Sequence, residues 1–165
     1  MTSPSLSATK TASSLESLLR PTHFVSELRF KKKAHILDEL AAALASAGVT
    51  RSPDLVAELL REREALGSTG VGKGIAVPHA RSTLIAERAV VVARSRKGID
   101  FEAVDGEPVH LLFLVVAPPM ERDPIYLKLL ADVVRAVRLS RTRQKLSDAP
   151  DFETVREILI HAASE

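Results

Sequence analysis

Two short apolar runs constrain this chain most: Ala89 to Ala93 and Val109 to Val116. Both are apolar, the first rich in β-branched valine, and they carry no alternating polar positions, the pattern of buried strands. Turn-forming pairs bound them: Lys97-Gly98 after the first, Asp105-Gly106 before the second and Pro118-Pro119 after it. The segment 97–108 is too short for a helical crossover, so the two strands are expected to pair antiparallel.

Helical spacing surrounds them. Over Lys31 to Ala47, residues Ala34, Leu37, Leu40, Ala41 and Leu44 fall on one face, and Gly48 supplies a stop. Ser52-Pro53 reads as N-cap and first residue of a helix running to about Leu66. Pro124 opens another to about Leu139, with Ile125, Leu129, Val133 and Val137 as its stripe. Asp151 caps a last helix that turns Val155, Ile158 and Leu159 inward. Before these lie a short segment, Ser14 to Leu19, and a short strand near Phe24-Val25. Strands alternating with helices predict a layered α/β domain with a mixed sheet over residues 15–165. Residues 1–14, small and polar, read as a disordered tail.

Composition narrows the function. At 165 residues the chain is one ordinary domain. It has no cysteine, which excludes thiol catalysis, disulfide scaffolds and thiolate metal sites. Its 23 Lys and Arg exceed its 21 Asp and Glu by two, too little to imply nucleic acid. The longest apolar run, Leu111 to Ala117, is far short of the roughly 20 residues of a membrane helix.

Four of the seven glycines, Gly67, Gly70, Gly72 and Gly74, fall in GSTGVGKG. Such a cluster marks either special backbone geometry with close approach to a ligand, or a floppy surface loop. Gly67 to Lys73 matches G-x-x-x-x-G-K, but Gly74 stands where a P-loop needs Ser or Thr, and the loop leads into Ile-Ala-Val-Pro rather than a helix. An ATP or GTP P-loop is therefore rejected. On the preceding helix Arg63 projects near the middle of the stripe Leu55, Val56, Leu59, Leu60 and Leu66, either as an anion clamp or as a snorkelling or ion-paired side chain. His79 follows Pro78 on a stiff support. A lone histidine is more often structural, but an arginine, a nest of loop amides and a stiffly mounted imidazole together describe a phosphoryl acceptor. No H-x-H or H-x-x-x-H accompanies it, so no metal site and no cofactor are expected.

The stretch REALGSTGVGKGIAVPH, Arg63 to His79, resembles the phosphorylation-site signature of the fructose/mannitol-type (type 2) enzyme IIA components of the bacterial phosphotransferase system, which include the nitrogen-related regulatory IIA proteins. The likeness extends over about residues 15–162. It implies a single three-layer α/β domain, a mixed central sheet of about five strands with helices on both faces. It implies that His79 takes a phosphoryl group from phospho-HPr or its nitrogen-branch analogue, that Arg63 stabilises the phosphate, and that a IIB partner receives it. Ser68, Thr69, Gly70 and Gly72 are the expected phosphate-binding loop. The family's second histidine is missing: Arg122-Asp123-Pro124-Ile125-Tyr126 stands in its region, so Asp123 or Tyr126 is expected as support, with His110, on a buried strand, as a further candidate.

With no membrane span and no fused IIB or IIC region in view, a separate cytoplasmic component is expected. Leu28 to Phe30 and the Lys-rich helix start resemble the nitrogen-regulatory branch. The alternative is a regulatory module that relays nothing and changes protein targets when His79 is phosphorylated. Nucleic-acid binding through Arg135, Arg138, Arg141, Arg143 and Lys145 is disfavoured, since the chain has five Phe, one Tyr and no Trp for stacking.

Overall fold

A computed structural model describes residues 15–120 and 123–164; the tail expected over 1–14 lies outside them. Strands β5 (Ala89–Ile99) and β6 (Val109–Ala117) form the centre of one sheet and pair antiparallel, Ala89 opposite Val116 through Arg94 opposite Leu111. β5 does not stop at Lys97-Gly98. It passes a register shift there and resumes with Ile99 opposite Val109. Gly98, at φ 87°, makes this possible: a Cβ would sit 2.8 Å from Pro108 Cβ and 3.0 Å from the His110 ring.

β1 (Phe24–Val25) flanks β5 in parallel. On the other side β6 carries β3 (Ile75–Ala76) and then β4 (His79–Arg81), both parallel to it, while β2 (Gly70–Gly72) pairs antiparallel with β3. The sheet is thus mixed, as expected, with six strands where about five were expected. The sequences of β2 and β4, GVG and HAR, show no strand pattern of their own; pairing with neighbours makes them strands.

Alternate residues of β5 and β6 feed two cores. Val91, Ala93, Leu112, Leu114 and Val116 pack under α2 (Lys33–Ser46) and α3 (Pro53–Ala65). Val90, Val92, Leu111, Phe113 and Val115 pack under α4 (Pro124–Ala136), α6 (Phe152–Ser164), Leu15 of the one-turn helix α1 (Leu15–Leu18) and Leu146. This is the three-layer arrangement. Gly48 at φ 79° ends α2, and Asp151 Oδ1 caps α6 by accepting from Thr154 N (2.9 Å) and Oγ1 (2.7 Å). Ser52 holds the N-cap position of α3 but its side chain makes no capping bond. α4 ends at Ala136, short of Leu139, and α5 (Ser140–Asp148) follows. Its sequence, SRTRQKLSD, buries only Thr142 and Leu146, so it shows no apolar stripe. Among the described residues no helix is long and apolar enough to cross a membrane.

The buried Arg94 locks α5 to the sheet. Its guanidinium donates to the carbonyls of Leu146 (3.0 Å) and Ala149 (2.8 Å) at the end of α5 and to Ser26 O (3.1 Å) and Oγ (3.1 Å). These helix-end carbonyls stand in for a carboxylate partner. Replacing Arg94 by Met leaves them unpaired and should destabilise the fold by about 3 kcal/mol, read as a lower urea midpoint with unchanged slope; an unchanged midpoint would show that water replaces the guanidinium freely.

Candidate functional site

β3 and β4 run along β6 in one register, interrupted at Val77-Pro78. Pro78 has no N–H to give, but its carbonyl accepts from Val115 N at 3.0 Å. Val77 N donates to Thr69 O at 2.9 Å. The Val77 carbonyl lies 2.9 Å from His79 Nδ1. A carbonyl only accepts, so Nδ1 carries the hydrogen and the neutral ring keeps its lone pair on Nε2. The His79 residue is half-buried, open to an approaching group.

α3 packs against β4, but not with the face expected. Leu55 (52% exposed) and Leu66 (86%) point to solvent; the buried side is Val56, Ala57, Leu60 and Glu64. Arg63 therefore lies on the flank, half-buried, and donates to Gly67 O at 2.9 Å. The wheel erred because it counted Leu55 and Leu66 as inward. The charge that does enter the core is Glu64. Lys33 Nζ is 2.9 Å from its carboxylate, Thr69 N donates to it at 3.1 Å, and Thr69 Oγ1 donates to it in a short hydrogen bond. Lys33 also stands 4.8 Å from the Phe101 ring centroid. A buried carboxylate so fully paired is tolerable, and it fixes the end of α3 to the start of the glycine segment.

That segment is a hairpin. Lys73 (φ 58°) and Gly74 (φ 79°) make the turn between β2 and β3. Gly70 is needed for close approach, since a Cβ there would lie 2.8 Å from Ala103 Cβ and 2.9 Å from its Cα. Ser68 Oγ donates to Phe101 O and accepts from Gly70 N, both at 3.0 Å, and Lys73 N donates to Asp105 Oδ2 at 2.9 Å. The amides of Thr69, Gly70 and Lys73 are thus occupied: the floppy-loop reading does not hold, and Thr69 and Gly70, expected with Ser68 and Gly72 to bind phosphate, do not offer free backbone donors for it.

Asp123 and Tyr126 do come to this end of the sheet. Asp123 Oδ1 caps α4 by accepting from Tyr126 N (3.0 Å) and takes Arg88 Nη2 at 3.0 Å. Burial pushes the Asp123 carboxyl up, but the Arg88 guanidinium and the Tyr126 amide hold it below the usual range. Burial pushes the Tyr126 hydroxyl up to about 12, against the pull of the Arg81 and Arg63 charges. The Arg81 guanidinium lies 5.0 Å from the Tyr126 ring centroid. Arg81 shares a strand face with His79, two residues away. Arg81 and Arg88 were not foreseen: isolated arginines carry no spacing signal, though the i, i+2 relation of His79 and Arg81 was readable. His110 is elsewhere. It sits five positions before Val115 on β6, about 16 Å along the strand, with Nδ1 2.9 Å from Ser95 O. The strand is buried as expected, but His110 is the one residue of β6 that is only half-buried, and a shared strand did not mean a shared site. Among the described residues no three His, Asp or Glu side chains cluster to hold a metal ion.

Residues 17–162 match the family model described as phosphoenolpyruvate-dependent sugar phosphotransferase system, EIIA 2. A nitrogen regulatory protein of Bradyrhizobium diazoefficiens is 34% identical over 142 residues, 86% of this chain and 92% of that protein. A fructose-specific EIIABC component of Bacillus subtilis is 30% identical over 129 residues, 78% of this chain, which spans only 20% of that longer protein. Among solved structures, nitrogen regulatory protein IIA-Ntr from Neisseria meningitidis superposes with a TM-score of 0.81 at 30% identity, covering 88% of this chain and 98% of that one.

Because the folded Asp123 carboxyl titrates below its unfolded value, its stabilisation is present above about pH 4 and is lost as pH falls through the lower folded value. An Asp123→Asn protein should therefore be less stable at pH 7 but lose less stability between about pH 5 and pH 2 than the unaltered chain, measured by urea midpoints across that range. Parallel acid limbs would show that Asp123 titrates normally.

Proposed function

This chain belongs to the EIIA 2 family of the phosphoenolpyruvate-dependent sugar phosphotransferase system, and on that premise we propose that it is a cytoplasmic phosphocarrier whose His79 accepts a phosphoryl group from phospho-HPr or its nitrogen-branch analogue. The observation that carries this reading is the bond between His79 Nδ1 and Val77 O, which leaves Nε2 as the nucleophile.

In the proposed step the Nε2 lone pair attacks phosphorus in line. The new Nε2–P bond forms as the donor's N–P bond breaks, and the donor imidazole leaves with the electron pair of that bond. Each ring keeps the hydrogen on its other nitrogen, so no proton need move. The His79 ring becomes more positive as it takes the phosphoryl group, and the Val77 carbonyl dipole stabilises that charge. Arg63, aided by Arg81, offsets charge on the equatorial oxygens. Ser68, Thr69, Gly70 and Gly72 act through the hairpin that holds this corner, and Asp123 and Tyr126 brace the start of α4. Exposed Leu66, Met120 and Leu127 give the surrounding surface an apolar rim that suits a docking protein.

The acceptor is a IIB partner or a regulatory target. The EIIABC name of the Bacillus relative supports the former. The likeness to nitrogen regulatory proteins over nearly their whole length supports the latter and slightly favours nitrogen-type regulation. In that second reading phosphorylation of His79 changes which protein is bound, without onward transfer.

Label should pass from phosphoenolpyruvate through enzyme I and HPr to this protein and be lost in His79→Ala. Arg63→Ala should label about 100-fold more slowly, the scale of one lost electrostatic donor. Undiminished labelling of the His79→Ala protein would reject the proposal.

A further inference from the structure

At the end of the sheet away from His79, a cleft of about 1130 Å³ opens between the chain after β1, the β2–β3 turn, the far half of β5 and helix α5. Seven Lys or Arg residues line it, against two carboxylates, Glu27 and Asp148. That is a local excess of five positive charges, whereas the whole chain has an excess of two. The rest of the molecule is therefore net negative by three, and the near-neutral composition conceals a concentrated positive field.

Two of the seven cations are committed to the fold: Arg94 to its carbonyls, and Arg143 to the carbonyls of Val137 (2.8 Å) and Arg138 (2.9 Å). The other five, Arg29, Lys31, Lys73, Arg96 and Lys97, are exposed and enter no ion pair among the described residues. They converge from three separate segments, so neighbouring sequence does not explain their company. Like charges gathered in a concave site raise one another's energy and focus the field onto an incoming anion.

Two further features select the anion. α5 begins at the cleft with Ser140, and Leu139 at its N-cap has no side chain to satisfy the first amides. Those amides and the helix dipole favour phosphate. Phe30, 46% exposed and held edge-on to His35 at 5.4 Å, stands on the wall between Arg29 and Lys31. An exposed aromatic ring among cations offers a base a stacking surface. We propose that this cleft binds a nucleoside di- or triphosphate, its phosphates on Lys73, Arg96, Lys97 and the start of α5, its base against Phe30. A cleft closed in by four elements suits a single nucleotide better than a continuous strand, which needs an open track.

The test is a 1H–15N NMR titration of the full chain with ATP, GTP, inorganic triphosphate and a single-stranded DNA of roughly 12 nucleotides, at about 0.1 M salt. ATP or GTP should shift the amides of residues 73–74, 94–98 and 140–142, with a Kd below about 1 mM. Reversing two charges, Arg96→Glu with Lys97→Glu, should weaken binding at least about tenfold. Phe30→Ala, a change at an exposed side chain, should weaken the nucleotide and leave inorganic triphosphate unaffected. The proposal is overturned if neither nucleotide shifts these amides at about 5 mM, or if charge reversal changes nothing. It is equally overturned if triphosphate binds as tightly as the nucleotides, or if the DNA binds more tightly than either.

Discussion

The edge of β6 is the constraint on which the candidate site depends. Ile75 lies opposite Leu111 and His79 opposite Val115, the same offset of 36 residues, so β3 and β4 are one strand interrupted by Val77-Pro78. The interruption does the positioning. Pro78 keeps the ladder through its carbonyl but cannot donate, and the Val77 carbonyl turns to the His79 ring instead. A backbone atom thereby chooses the tautomer of a side chain, and that atom is held by a strand buried on both faces. The imidazole is preorganised by the sheet and needs no acidic neighbour to orient it.

The second fixed point is a buried carboxylate. Glu64 joins α2 through Lys33, α3 through its own backbone, and the glycine hairpin through Thr69. Burying one unpaired charge would cost several kcal/mol, so removal of either partner is expected to loosen this whole corner. Because Arg63 precedes Glu64 on the helix, the carboxylate that dips into the core also turns Arg63 about 100° away, to the flank where it meets Gly67 O. The position of the guanidinium is thus set by its neighbour's burial. The basic cleft at the opposite end shares with this corner the β2–β3 hairpin, whose turn carries Lys73.

Much of the fold was legible in the sequence because its strongest signals are local. The antiparallel β5–β6 pair followed from two apolar runs and the short segment between them; the stop at Gly48 and the cap at Asp151 followed from turn and capping chemistry. Strands β2 and β4 were not legible, because three residues carry no period, and α5 was not, because it buries only two side chains. At the site, the motif drew attention to Arg63 and His79, but the helical wheel chose the wrong charged residue as inward. Leu55 and Leu66 look like core residues by type and are exposed, while Glu64 looks like surface and is buried. Arg81, Arg88 and the five cations of the cleft come from scattered positions, and only the tertiary fold assembles them.

The most direct test of this account reads the two nitrogens of one ring. Long-range 1H–15N NMR of the unphosphorylated protein should show His79 with its hydrogen on Nδ1 and an unprotonated Nε2. After phosphorylation the 31P nucleus should couple to Nε2 while the Nδ1 hydrogen remains bonded to Val77 O. A hydrogen on Nε2 in the free protein, or phosphorus on Nδ1 or on another residue, would contradict it.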